Sequence, residues 1–182
     1  MGMICRFIPG NNHMCQRFRI IMDMDLVMNH LRNFVKRLSG EWIKRNSNYE
    51  HDACLDLGFK SETKRYWDCE FNGTYIEIKK GKSIWLDEVR YSEIFLSDEM
   101  DNPDCRIDTI TMFLIPSKCK EFIEKILLVD TKRIISFMKI DREWGSKLLE
   151  RRKKTTRSLN CQQSMTVRDV ESIANHIIYL QK

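Results

Sequence analysis

Residues 66–80, Tyr66-Trp67-Asp68-Cys69-Glu70-Phe71-Asn72-Gly73-Thr74-Tyr75-Ile76-Glu77-Ile78-Lys79-Lys80, decide how the rest of the chain is read. Two alternating runs, 66–71 and 74–80, flank Asn72-Gly73. That dipeptide suits a two-residue loop, because both central positions of a type I′ turn need positive φ. With a loop of two, opposed residues add up to a constant. Phe71 then faces Thr74, Glu70 faces Tyr75, Cys69 faces Ile76, Asp68 faces Glu77 and Trp67 faces Ile78. Side chains alternate between sheet faces. One face therefore carries Trp67, Cys69, Phe71, Thr74, Ile76 and Ile78 and is expected on the core. The other carries Tyr66, Asp68, Glu70, Tyr75, Glu77 and Lys79.

On the second face, Asp68 and Glu77 stand directly opposed, with Cβ atoms about 4.5–5.5 Å apart, which is repulsive when both are ionised. A divalent cation shared by the two carboxylates relieves that repulsion, and Mg²⁺ binds through one or two carboxylates while keeping waters. Lys79 lies one pleat along, placed to hold a phosphate oxygen or orient a water whose pKa the metal lowers. The bland alternative is a solvated charged face in which Lys79 simply neutralises the acids. A second Glu-x-Lys, Glu62-Thr63-Lys64, lies in a polar stretch without alternation or an opposed acid. Strand context separates the two. Glu70 shares the metal face and stands as an alternative ligand.

Working outward, residues 1–22 read as irregular, with a loop at Pro9-Gly10-Asn11-Asn12. Leu26, Leu31, Phe34, Val35, Leu38, Trp42 and Ile43 recur at helical spacing, predicting one helix from Asp23 to about residue 46, capped by Asp23 or Asp25. The run 53–59 reads as a strand and 84–96 as a helix. Thr109–Ile115 reads as a strand buried on both faces, and 123–129 as another. Asp130-Thr131 offers an N-cap for a helix to about Lys139. The last forty residues read as two helices, the second opened by a capping box at Thr166 and Asp169. The order predicts a mixed α/β fold around a central sheet. It is read as a single domain over 1–182, with a core of about 24–140 and a basic, helical segment from about 141 to 182.

The chain has 182 residues, 42% apolar and 31% charged, and a net charge of +5 from 31 basic and 26 acidic side chains. That balance mildly favours a polyanionic partner. Five of the cations, Arg151, Arg152, Lys153, Lys154 and Arg157, cluster in 150–157, and Lys64 and Arg65 precede the hairpin. These seven are the candidate DNA-binding residues, against the plainer reading of 151–157 as a solvated helix end holding phosphates without reading sequence. Seven cysteines without a CxxC pair argue against structural zinc. Cys54, Cys69 and Cys119 read as reduced thiols in or near the core, which predicts a reducing, cytoplasmic setting. No apolar stretch suggests a signal peptide or membrane span. The four histidines are scattered, and no Gly-rich phosphate loop or serine elbow occurs.

An acid on one strand, Glu-x-Lys on the next, then a helix and an apolar strand resembles the PD-(D/E)xK nuclease superfamily, specifically small type II restriction endonucleases. The matching residues are Asp68 for the first acid and Glu77-Ile78-Lys79 for the motif's second half. Residues 85–96 are similar to the family's core helix, 109–117 to the strand after it, and 125–138 to the strand–helix unit that ends the core. Trp67 departs from the proline of the nominal pattern. The resemblance implies a restriction-endonuclease-like core, with Asp68, Glu77 and Lys79 as catalytic residues and Asp68 and Glu77 on the metal. It implies Mg²⁺, replaceable by Mn²⁺, and hydrolysis of double-stranded DNA by an activated water, carried out by a homodimer. It also implies a further glutamate from the preceding helix, for which Glu41 is the first candidate and Glu50 the second. The alternatives are a junction resolvase or repair nuclease on the same core, or a non-catalytic DNA-binding protein that keeps the fold.

Overall fold

The computed structural model describes residues 23–62, 64–99, 102–155 and 161–180. Its element order is α1 (Met24–Phe34), a short 3₁₀ turn (Glu41–Ile43), α2 (Glu50–Asp56), β1 (Lys60–Ser61), β2 (Cys69–Phe71), β3 (Thr74–Lys80), β4 (Ser83–Asp87), α3 (Glu88–Phe95), a second 3₁₀ turn (Ser97–Glu99), β5 (Thr109–Pro116), β6 (Ile123–Asp130), α4 (Thr131–Phe137), α5 (Arg142–Lys153), β7 (Gln162–Thr166), α6 (Val167–Ile173) and β8 (His176–Tyr179). Six strands form one mixed sheet in the order β1-β2-β3-β5-β6-β8; β4 and β7 form a separate antiparallel pair. Among the described residues, β3 and β5 are the one parallel pair of the main sheet. The chain is thus a mixed α/β fold, as the element order predicted.

The hairpin forms with the expected register. Cys69 faces Ile76, Glu70 faces Tyr75 and Phe71 faces Thr74, and Asn72 and Gly73 both take positive φ, 48° and 81°. The ladder is shorter than the alternation suggested. Beyond Cys69 the chain slips, so that Asp68 N–H donates to Ile76 O at 2.9 Å instead of pairing with Glu77. Trp67 consequently turns to the opposite face from Cys69, Ile76 and Ile78, where it packs at 4.4 Å from the Tyr75 ring.

Two apolar layers explain why β5 is buried along its whole length. On one face Ile76, Ile78, Ile110, Met112, Leu114, Ile126 and Leu128 meet Val27 and Leu31 of α1 and Ala53 and Cys54 of α2. On the other, Phe113, Ile115, Leu127 and Val129 meet Leu86 of β4, Tyr91 and Ile94 of α3, Ile134 of α4 and Val170 of α6. The apolar side chains of β5 thus meet apolar partners on both faces, the usual condition for a continuous hydrophobic run.

Four elements differ from the sequence reading. Residues 53–59 are not a strand: α2 occupies Glu50–Asp56 and ends in a Schellman motif. There Phe59 N–H donates to Cys54 O and Gly58 N–H to Leu55 O, both at 2.9 Å, with Gly58 at φ +73°. The single helix predicted from Asp23 to about residue 46 stops at Phe34, capped as expected by Asp23. After it the chain extends along the sheet edge, where Ser39 bridges Phe122 and Leu38 O accepts from Ile123 N–H. Leu38, Trp42 and Ile43 are buried from this irregular path, so their spacing imitated a helix. Residues 83–87 are strand β4 rather than helix. Ile84 and Leu86 are buried between exposed Ser83 and Trp85, and α3 begins only after Asp87, whose side chain caps it. Finally, the C-terminal forty residues are not all helical. The capping box at Thr166 and Asp169 is present, but β7 precedes α6, and β8 follows it to complete the main sheet.

The thiol expectation also needs correction. Cys54 and Cys69 form a disulfide with Cα atoms 6.0 Å apart, joining α2 to β2. A separation of 15 residues concealed this contact. Cys119 is exposed rather than near-core, while Cys105 is a buried free thiol. The disulfide removes the ground on which a reducing compartment was inferred. Among the described residues, no helix is long and apolar enough to cross a membrane.

Gly58 cannot be replaced without strain. At φ +73°, a Cβ would also lie 2.9 Å from the Phe34 ring. Gly58→Ala should lower stability by about 1–3 kcal/mol in urea unfolding, through backbone strain and displacement of Phe34. An unchanged midpoint would mean that α2 does not end here.

Candidate active site

The hairpin, β5 and α3 bring four charged side chains together. β3 carries Glu77 and Lys79 on one face, toward the layer that contains α3. Asp87 caps α3 by accepting from Val89 N–H at 3.0 Å, which fixes the helix start and sets Arg90 over β3. Glu77 is only 3% exposed. Arg90 grips it with two nitrogens, Nη1 to Oε1 at 2.5 Å and Nη2 to Oε2, and Lys79 Nζ donates to Oε1 as well. Asp68 comes from the slipped end of the hairpin. Its Oδ2 accepts from Ile78 N–H at 2.7 Å, taking the place that a strand carbonyl would have filled.

These environments push the two carboxyls in opposite directions. Asp68 is raised to about 7, first by burial and then by the negative charge of Glu77, against the Ile78 amide, Lys79 and Arg90. Burial would also raise Glu77, but Lys79 and Arg90 outweigh it and hold that carboxyl below its ordinary value. Lys79 is likewise buried, yet Glu77 raises it above the ordinary lysine range. Lys79 is therefore a fixed ammonium, and Asp68 is the group able to exchange a proton near neutral pH.

Sequence reasoning identified Asp68, Glu77 and Lys79, and these three do converge. It did not identify Arg90. The signal was available, since Asp87-Glu88 reads as a helix start that would place residue 90 in the first turn, but the strand β4 had been absorbed into that helix. Glu41 does not join the group. It sits on the 3₁₀ turn with its side chain 87% exposed, paired with Lys44 at 3.0 Å. Glu50 lies nearer: at the start of α2 it accepts from Tyr49 N–H at 2.9 Å. The Tyr49 hydroxyl, pushed up to about 12 mainly by burial, feels Lys79, Glu50 and Asp68 together. Glu70 turns aside, accepting from Gly73 N–H at 3.3 Å and pairing with Lys60 at 3.5 Å.

The expected DNA-binding residues are dispersed. Lys64 pairs with Asp104 at 3.2 Å, and Arg65 Nη2 holds both oxygens of Glu93 at 2.9 and 2.8 Å. Arg151, Arg152 and Lys153 form the exposed last turn of α5 and Lys154 its C-cap, where positive charge complements the helix dipole. Arg157 lies outside the described residues.

Asp68 and Glu77 offer the hard oxygen donors that magnesium takes, usually together with substrate phosphate. Among the described residues Asp68 has no cation in hydrogen-bond contact, whereas both Glu77 oxygens already lie on cations. Among the described residues no third acid, His or Cys joins them in a metal-binding group. The pair fits a cation shared with a phosphate ligand, not a preformed protein cage.

No protein-family model matches this sequence, and no curated protein matches it significantly.

Proposed function

We propose that the chain is a magnesium-dependent nuclease that hydrolyses phosphodiester bonds of DNA at Asp68, Glu77 and Lys79. One observation carries this reading: a proton-exchanging carboxyl, a second ionised carboxyl and a fixed ammonium meet at the end of a hairpin. The order of elements supports it too. An acid beside β2, Glu-x-Lys on β3, helix α3 and apolar β5 come in the order that the resemblance to PD-(D/E)xK nucleases implies, although strand β4 intervenes between β3 and α3 where the resemblance implied helix.

In this reading Asp68 and Glu77 hold the magnesium, which when bound lowers the pKa of a water and offsets charge on the phosphate. Lys79 holds a non-bridging phosphate oxygen and stabilises the additional charge of the transition state. With Asp68 held ionised on the metal, the proton of the attacking water would pass to solvent, and Lys79 would help to orient that water. Arg90 would have to share Glu77 with the cation, which would leave part of its guanidinium for the phosphate. Duplex DNA is the substrate, and a homodimer would cut both strands.

One feature favours a second reading, a DNA-binding protein without cleavage: the Arg90 fork leaves Glu77 neutralised without any metal. A cleavage assay separates the two. Purified protein with Mg²⁺ should cut plasmid, single-stranded or branched DNA, and EDTA should stop it. Asp68→Ala and Lys79→Ala should each reduce the rate by about a hundredfold or more, the scale of losing a charge-stabilising group. Metal-dependent cleavage that survives both substitutions would place the site elsewhere. No cleavage of any substrate would leave the binding reading.

A further inference from the structure

We propose that the basic cleft beside Lys79 binds a single strand of nucleic acid, its phosphates on Lys82, Lys118 and Lys120 and one unpaired base on the Trp85 indole. The inference deepens the nuclease reading and rests on it for the fate of the strand, though not for its binding. It also refines the substrate, favouring DNA with an unpaired segment next to the cut.

The cleft has a volume of about 870 Å³ and lies where three segments end: the turn before α2, the link from β3 to β4, and the turn after β5. Six basic side chains and no acidic one line it among the described residues. They are not equivalent. Lys79 is held by Glu77, and Arg45 pairs with Asp52. Lys80 donates to the carbonyl oxygens of Trp42, Ile43 and Arg45 at 3.2, 2.6 and 2.5 Å, which ties down the 3₁₀ turn. Lys82, Lys118 and Lys120 remain exposed and have no acidic partner among the described residues.

Hydrogen bonds hold the turn that carries Lys118 and Lys120. Ser117 Oγ accepts from Glu121 and Phe122 N–H at 3.3 and 3.5 Å, and Lys120 N–H donates to Ser117 O at 3.0 Å. Cations converging on one concavity repel each other when no anion is present. Lys80 registers this: burial, then Lys120 and Arg45, hold its ammonium below the ordinary lysine value. A phosphate chain relieves that repulsion and releases its own counterions.

Trp85 adds a signal that charge alone does not. Its strand neighbours Ile84 and Leu86 are buried, while Trp85, which lines the cleft, is 58% exposed. A large exposed ring among lysines matches the stacking platform that single-strand binders combine with a positive groove. In intact duplex the base faces are already stacked and cannot use it. The cleft has the size of a ligand pocket, so it can admit one strand but cannot enclose a double helix.

The test uses the full chain in EDTA, so that binding is read without cleavage. A labelled short oligothymidylate is titrated by anisotropy and by tryptophan quenching, beside a duplex of equal length. The single strand should bind more tightly and quench fluorescence. Trp85→Ala should weaken its binding by about tenfold, the scale of one lost stacked base, with partial recovery in Trp85→Phe. The triple change of Lys82, Lys118 and Lys120 to Ala should reduce the slope of log affinity against log salt by about 2. Melting curves check that each variant is folded. Equal affinity for duplex and single strand with no effect of Trp85→Ala would overturn the proposal. So would inorganic polyphosphate competing as well as the oligonucleotide, since charge alone would then explain binding. These signatures without Mg²⁺-dependent cleavage of any substrate would uphold the cleft and reject the nuclease. Cleavage without them would do the reverse.

Discussion

Asp68→Asn is expected to make the metal-free protein more stable at pH 8 while abolishing cleavage. The folded protein holds Asp68 at about 7, against an ordinary aspartate value of about 3.9. A carboxyl raised on folding takes up a proton, so its contribution is most favourable at low pH and is lost as pH rises through the folded value. Above neutrality the ionised side chain sits near Glu77 in a partly buried place, at a cost of at most about 4 kcal/mol. Asparagine removes the charge and keeps an oxygen for the Ile78 amide. In EDTA its advantage should be largest at pH 8, shrink as pH falls below 7 and vanish near pH 4. Urea unfolding across that range reads the effect directly. Equal stability of both proteins at pH 8 would show that burial and Glu77 do not strain Asp68. Adding Mg²⁺ extends the test beyond activity. Binding to the native state alone stabilises it, so Mg²⁺ should raise the melting temperature of the wild type at pH 8 and leave Asp68→Asn unchanged.

The opposite outcome is expected for Glu77→Gln, which should be the most destabilising single change at the site. Glu77 is the shared anion of Lys79 and Arg90, whose side chains are only 23% and 16% exposed. Removing one member of a buried charge cluster leaves the others unpaired, typically costing about 3–5 kcal/mol. Asp68 faces the same cations and will recover part of this. Arg90→Gln should cost less, because Lys79 still neutralises Glu77. Combining Glu77→Gln with Arg90→Gln should destabilise by less than the sum of the two. A double-mutant cycle in urea measures that coupling. Strict additivity would mean that the Arg90 fork contributes nothing, and with it the view that Arg90 competes with a metal for Glu77.

The same triad explains what was legible in the sequence and what was not. Asp68, Glu77 and Lys79 could be grouped beforehand because a two-residue Asn-Gly turn leaves almost no freedom of register. The grouping even survived the slip at Asp68, since the side chain reaches Ile78 N–H where a ladder bond had been expected. Arg90 escaped because the buried, exposed, buried alternation of Ile84, Trp85 and Leu86 is too short to separate from helical spacing by pattern alone. The Schellman ending at Gly58 was readable in principle, but Leu55-Asp56-Leu57 alternates like a strand. Trp85 and the three lysines of the cleft lie on two separate segments, and nothing local says that they share a concavity.

Taken alone, the sequence determined the hairpin and its register from Cys69 to Ile76, the doubly buried β5, the caps at Asp23, Asp130 and Thr166, and the mixed α/β class. Each depends on hydrogen bonds or periodicities spanning a few residues. Tertiary structure decided the Cys54–Cys69 bond, the Arg90 fork on Glu77, the recruitment of β8 to the sheet and the basic cleft. These depend on which distant segments the two apolar layers press together, and burial on both faces of one sheet sets that pairing.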